Sequence, residues 1–283
     1  MPGIIWLASY PKSGNTWLRG FLANYLSDAR QPVAINALPS HILGDNLRQH
    51  YLQYSGLADE ALDGEAVKRL RPKVHLWIAN SRGHDVFVKT HNAVALVDGQ
   101  PLITPAATAG AIYVLRNPFD VAVSFAHHYQ VSFERAVESL CESDYRLPEQ
   151  SGILEQYLGD WGQHVTSWTE APGMTRLLLR YEDMAAAPLK AFGSVVSFLG
   201  LPKDMARLKR AVRFSSFKEM SRQEAGERFV EARPDGASPF FRQGRSGAWR
   251  EALDEAQRDR LLERFRPLLE RHGYLSDEGR PLV

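Results

Sequence analysis

The chain has 283 residues, is 44% hydrophobic and 24% charged, and carries a formal net charge of +1. This is ordinary globular composition, long enough for a sizeable core, and its near-neutral total offers no global case for a nucleic-acid or membrane partner. The one cysteine, Cys141, excludes an intrachain disulfide and a cysteine-rich metal site, and it suits a reducing compartment.

The first apolar run, Ile4 to Ala8, reads as a buried strand. It starts too early to leave room for a signal peptide, and no apolar run reaches the length of a membrane span. A cytoplasmic protein is expected. Next comes Ser9-Tyr10-Pro11-Lys12-Ser13-Gly14-Asn15-Thr16-Trp17, a tight loop opening a helical pattern from Trp17 to Leu26. Such a loop aims backbone N–H groups and a helix N-terminus at whatever lies above it, which favours a phosphate or sulfate. Gly14 permits close approach, Thr16 brings a hydroxyl and Lys12 a cation. The loop is similar to a nucleotide P-loop, but Asn15 stands in the lysine slot of G-x-x-x-x-G-K-[ST] and no first glycine is present. Alone, it is also compatible with a plain strand-to-helix turn.

Residues 31–82 read as an insertion with a helix over Ala58 to Leu70. Val86 to Lys89 reads as a second strand, ending Lys89-Thr90-His91, and the period of two puts Lys89 and His91 on one side. His91 is either a capping histidine or a general base. A third strand, Ala111 to Leu115, ends Arg116-Asn117-Pro118 and leads into a helix, Phe119 to Tyr129, that carries Asp120 and Ser124. Arg116 and Ser124 suit one phosphate. Helical patterns follow over Ile153 to Trp168 and Leu189 to Leu199. Between them a fourth strand, Arg176 to Leu179, ends Arg180-Tyr181-Glu182-Asp183, either a magnesium site or a helix cap. Ser215-Ser216-Phe217-Lys218-Glu219-Met220 offers hydroxyls and a stacking ring. Residues 224–245 look like a loop that orders over a ligand, and Phe240 to Trp249 sets Arg242 beside Gln243 and Gly244. An amphipathic helix, Glu255 to His272, ends the series. Strands alternating with helices predict an α/β fold, a single P-loop-type domain over 1–283 with a central parallel sheet flanked by helices. Its ligands belong beyond the carboxyl ends of the strands.

In this order the motifs resemble the PAPS-dependent sulfotransferases, the cytosolic type and its bacterial relatives. Tyr10 to Trp17 match the family's Y-P-K-[SA]-G-[TN]-T-W. Lys89-Thr90-His91 match its K-T-H, and Arg116, Asn117, Pro118, Asp120 and Ser124 its R-N-P-x-D-x-x-x-S. Tyr181 to Met184 match Y-E-D-M. Ser215 to Met220 match T-S-F-K-x-M with serine for threonine, and Phe240 to Trp249 match F-x-R-K-G-x-x-G-x-W with Gln243 for lysine. The resemblance implies transfer of the sulfuryl group of PAPS, in line, to an acceptor hydroxyl, releasing adenosine 3′,5′-bisphosphate (PAP), without a metal. It implies that Lys12 contacts the transferring sulfonate and that Ser13, Gly14, Asn15 and Thr16 cradle the 5′-phosphosulfate. Trp17 and Phe217 would flank the adenine, and Tyr181 would reach its amino group. Arg116, Ser124, Arg242, Gln243 and Gly244 would surround the 3′-phosphate, with Ser215, Ser216 and Met220 in the same cofactor-binding set. His91 would be the base, with Lys89, Lys12 and Ser124 completing the catalytic group.

The acceptor is expected against 36–77, 125–133 and 224–241, whose aromatic residues suit a phenol, an alcohol or a natural product. The opening also resembles bacterial enzymes that sulfate glycopeptide antibiotics. Arg250 to Asp259 lacks the Thr-Val pair of the animal enzymes' dimer motif, so the oligomeric state, a homodimer included, stays open. A P-loop nucleoside or nucleotide kinase, a non-catalytic nucleotide-binding protein and a carbohydrate or protein sulfotransferase are the alternatives.

Overall fold

In the computed structural model, residues 2–150, 152–232 and 239–282 are described; residues 233–238 of the expected 224–245 loop lie outside them. The sheet has strands β1 (Ile4–Ser9), β2 (Leu43–Gly44), β3 (Val86–Thr90), β4 (Thr108–Leu115) and β5 (Arg176–Arg180), in the order β2-β3-β1-β4-β5. β1 and β3 run parallel from Ile4↔Val86 to Ala8↔Thr90, and β2 joins β3 through Leu43↔Val88. Helices flank this central parallel sheet, as the alternating pattern predicts.

The residues cluster into two compact units. The first comprises Met1–Tyr10, Ile42–Tyr113 and Ser143–Leu178. Its core holds Trp6, Trp161, Trp168, Tyr51 and Tyr113, all buried, and Tyr113 stacks on Trp168 at 6.2 Å. The second comprises Pro11–His41, Val114–Glu142 and Leu179–Val283. There Phe21 stacks on Phe192 at 4.3 Å, and Phe119 meets Trp249 at 4.9 Å. Burying each such ring contributes roughly 1.5–3 kcal/mol.

Two helices differ from their sequence patterns. The one expected over Ile153 to Trp168 is Trp161–Thr169. Asp160 and Gln163 form a capping box at its start, and Gly159 stands at φ +64°. Residues before that bend pair as a short hairpin instead, with Arg146 opposite Tyr157 and Leu147 opposite Gln156. Apolar spacing carries through the bend, but backbone capping decides where the helix begins. The helix expected over Ala58 to Leu70 starts at Gly64, after the Asp63 cap, and runs on to Ala79. The segment expected as a loop from Glu224 begins inside a helix, Phe217–Gly226. Among the described residues no helix is long and apolar enough to cross a membrane.

Candidate active site

In the first unit, β3 delivers His91 one residue past its end. His91 Nδ1 lies 2.7 Å from the Ser9 carbonyl oxygen. A carbonyl only accepts, so Nδ1 carries a proton, and the tautomer this selects has its lone pair on Nε2. The residues either side of His91 are clamped. Thr90 Oγ1 donates to Asp45 Oδ2 at 2.8 Å, and Asn92 Nδ2 donates to the same oxygen at 2.9 Å. Asn92 Oδ1 accepts from the Tyr157 amide and its carbonyl from Trp168 Nε1. The His91 carbonyl accepts from His164 Nε2 at 3.0 Å, while His164 Nδ1 meets the Tyr113 hydroxyl at 2.9 Å. Burial pushes His164 down to about 4, so its ring is neutral: Nε2 donates to the carbonyl and Nδ1 accepts from tyrosine. Asp45 is itself buried, which raises its carboxyl, while the bond from Asn92 and the charge of Arg71 lower it. Lys89 lies in the same strand, and its carbonyl accepts from the Asp45 amide.

In the second unit, the loop opens the Asn15–Leu26 helix, which no side chain caps and which has no acid in its first turn. That end suits an anion. Lys12 takes φ +68° and Gly14 φ +106°. A Cβ on Gly14 would stand 2.7 Å from Tyr181 Cδ2, so only glycine fits. The Ser13 hydroxyl is buried with no hydrogen-bond partner. Arg116 donates from Nη1 to the Lys12 carbonyl and from Nη2 to the Arg245 carbonyl. Its guanidinium lies 4.1 Å from the Tyr181 ring centroid, and its buried Nε has no partner. Trp17 meets Tyr181 and Phe192 edge-on, at 5.8 and 5.6 Å. The Lys12 ammonium sits 3.9 Å over the Phe240 ring. Burial, then the like charges of Arg116 and Arg245, make Arg242 less basic than an ordinary arginine.

The unit thus gathers Lys12 to Trp17, Arg116, Tyr181 and Arg242. Gly244 lies against Phe217 so closely that a Cβ would stand 2.3 Å from the ring. Ser124 is half-buried on the Pro118–Tyr129 helix, one turn beyond Asp120, whose carboxylate accepts from the Gly247 amide. Ser215 donates to the Ala211 carbonyl, Ser216 caps the Phe217–Gly226 helix, and Met220 packs with Ile35, Phe229 and Phe241. Gln243 is exposed. The acid after β5 is committed: Glu182 Oε1 accepts from the Asn117 amide and Oε2 from the Tyr274 hydroxyl.

Sequence reasoning missed Asp45, Asn92, Tyr113 and His164. Asn92 adjoins His91 in the chain, directly after the Lys89-Thr90-His91 motif. The others act across 45 to 73 residues, and nothing local in the chain marks them.

A parallel α/β sheet, an uncapped glycine-bearing loop and an arginine group define an anion-handling P-loop-like protein. The family model for the sulfotransferase domain matches residues 2–273, and the chain belongs to that family. It is 29% identical to sulfotransferase 1A1 of Canis lupus familiaris, across 92% of this chain and 81% of that protein. It is 25% identical to mouse sulfotransferase 1E1, across 94% and 83%. Retinol dehydratase with androsterone and PAP shares the fold at a TM-score of 0.64 and 20% identity, over 94% of this chain and 80% of that one. Mouse SULT7A1 with PAP aligns at 0.58 and 21% identity, over 96% and 88%. The chain is therefore a sulfotransferase, an enzyme of sulfuryl transfer, and the kinase reading is not favoured.

Proposed function

We propose that this sulfotransferase moves the sulfuryl group of PAPS in line to the hydroxyl of a small-molecule acceptor, a phenol, alcohol or natural product, and releases PAP. The observation that carries the donor reading is Arg242, a cation set against burial and two further arginines. A multiply charged phosphate relieves that repulsion. The unpartnered Ser13 hydroxyl and Arg116 Nε fit an anionic ligand in the same way. Retinol dehydratase and SULT7A1 were both solved with PAP, which supports the same ligand here.

On this reading Ser13 to Thr16 hold the 5′ end of the donor, with Arg116, Ser124, Arg242, Gln243 and Gly244 on its 3′-phosphate. Trp17, Phe217 and Tyr181 hold the adenine, and Ser215, Ser216 and Met220 support that wall. When bound, PAPS supplies an activated sulfonate on a good leaving group. The protein's part is positioning and charge stabilisation. Lys12 brings a cation to the transferring group. His91 takes the acceptor proton at Nε2, because Nδ1–H is committed to Ser9, and Lys89 stabilises charge beside it. Acceptor contacts fall in 36–77, 125–133 and the described part of 224–241, and the compartment is cytoplasmic.

Calorimetric titration tests the reading. PAP should bind without metal, and ATP with magnesium only feebly. The reverse preference overturns it. An acceptor screen then separates small molecules from carbohydrate or protein.

A further inference from the structure

Lys12 stands in the anion loop, and other parts of the second unit fix both its backbone and its ammonium. The backbone is in the left-handed region at φ +68°, and its carbonyl accepts from Arg116 Nη1 at 3.0 Å. The ammonium lies over the Phe240 ring, 3.9 Å from its centroid. That ring is itself held. Phe229, Phe241 and His128 meet it edge to face, at 5.0, 5.1 and 5.6 Å. Glu224, on the Phe217–Gly226 helix, grips the chain that carries it: Oε1 accepts from the Phe240 amide at 2.6 Å and Oε2 from the Phe241 amide at 2.9 Å.

A lysine side chain is long and loses much rotamer freedom when it is fixed. A ring face attracts the ammonium and narrows that freedom, yet leaves the charge whole. A carboxylate in the ring's place would neutralise the charge and compete with an incoming anion. The ammonium carries three N–H groups, so one side can rest on the ring while another meets a ligand oxygen. The Glu224 carboxylate makes charge-assisted bonds to two successive amides, and so fixes the backbone from which the ring projects. We infer that Phe240 is a positioning residue for Lys12, and that Glu224 sets Phe240 in place, so that the ammonium is oriented before the donor's sulfonate arrives. That the anion is a sulfonate rests on the PAPS reading; the pairing of lysine and ring does not.

The pairing is read directly by NMR of the full chain with lysine labelled at Cε. Protons over a ring face are moved upfield, and the Lys12 signal is assigned by its loss in Lys12→Met. An upfield-shifted Lys12 signal is expected in the wild type. Phe240→Tyr should keep it and Phe240→Leu should abolish it. Glu224→Ala should reduce it, with Glu224→Gln, which retains one accepting oxygen, in between. An unshifted Lys12 in the wild type, or a shift unchanged in Phe240→Leu, overturns the inference. A shift unchanged in Glu224→Ala overturns the part given to Glu224.

What the pairing is for is read by calorimetric titration with PAPS and with PAP, which lacks the sulfonate. Neither titration needs an acceptor. Phe240→Leu should weaken PAPS about 3–30-fold and leave PAP within about twofold. Equal weakening of both would make the ring a packing residue and overturns the inference. In a Lys12→Met background the same substitution should cost PAPS nothing further, and additive losses overturn the inference as well. A Lys12 signal that responds to Phe240, in a chain that binds neither PAP nor PAPS, supports the pairing and counts against the donor reading alone.

Discussion

The surroundings of His91 and the anion loop satisfy their polar groups differently. Around His91 the bonds that hold its position are made inside the protein: Ser9 on the ring, Asp45 Oδ2 on both flanking residues, and His164 on the carbonyl, with Asp45 Oδ1 alone of that clamp left without a partner. In the second unit, key donors stand open: Ser13 Oγ, Arg116 Nε and Trp17 Nε1 are buried without partners. Closed bonds hold a base in one tautomer and one direction before any acceptor arrives. Open donors raise the energy of the empty site, and that energy is recovered on anion binding. A group that must keep its orientation is thus satisfied internally, while a group that must recognise is left for its ligand.

The sharpest way to break this comparison is His91→Ala. Turnover should fall about 10²–10⁴-fold with PAP affinity changed less than about twofold. Full activity would remove His91 as the base. Asp45→Ala comes next. It leaves the Thr90 and Asn92 donors buried and unpaired, at about 1–3 kcal/mol each, so the urea midpoint should drop and kcat should fall with PAP affinity held. Asp45→Asn keeps an accepting oxygen and should recover part of both. Equal losses in the two variants would show that acceptance by Oδ2 is not what matters.

Arg242→Gln probes the open side. PAP affinity should fall about 10–100-fold, while stability holds or rises, since a charge opposed by Arg116 and Arg245 is gone. A loss of stability with unchanged affinity would assign Arg242 a packing role instead. A separate effect is the pH dependence of the closed side. Burial lowers His164 to about 4, and burial with the Arg71 charge lowers His75 to about 3. Both stay neutral in the folded protein while an unfolded chain takes up protons below about pH 6.5. Stability is then complete above that pH and declines as pH falls toward the folded values, at about 1.4 kcal/mol per unit for each histidine. Urea titrations between about pH 7 and 4.5 measure the slope, and His164→Gln should remove one histidine's share. An unchanged slope would mean that His164 is already protonated in the folded state.

Much of this protein is local in its sequence. β1, the loop and the Asn15–Leu26 helix are contiguous, so apolar runs and a Pro-x-x-Gly turn were enough to read them. The motifs at Lys89-Thr90-His91, Arg116 and Tyr181 were legible for the same reason, since each lies at or just past the end of a readable strand. Helix boundaries were less so. Apolar spacing runs through Gly159 and Asp160, and the backbone that bends there is set by a positive φ and a cap, not by hydrophobic period.

The sequence by itself determined the α/β order, the anion loop and the family of motifs, because those depend on neighbours within a few residues. Only the tertiary structure decided what orients His91, what crowds Arg242 and what faces the Lys12 ammonium. Asp45 reaches Thr90 and Asn92 across 45 and 47 residues, and His164 reaches the His91 carbonyl across 73. Side chains that far apart share no periodicity, and their hydrogen bonds exist only once burial has removed water as the competing partner.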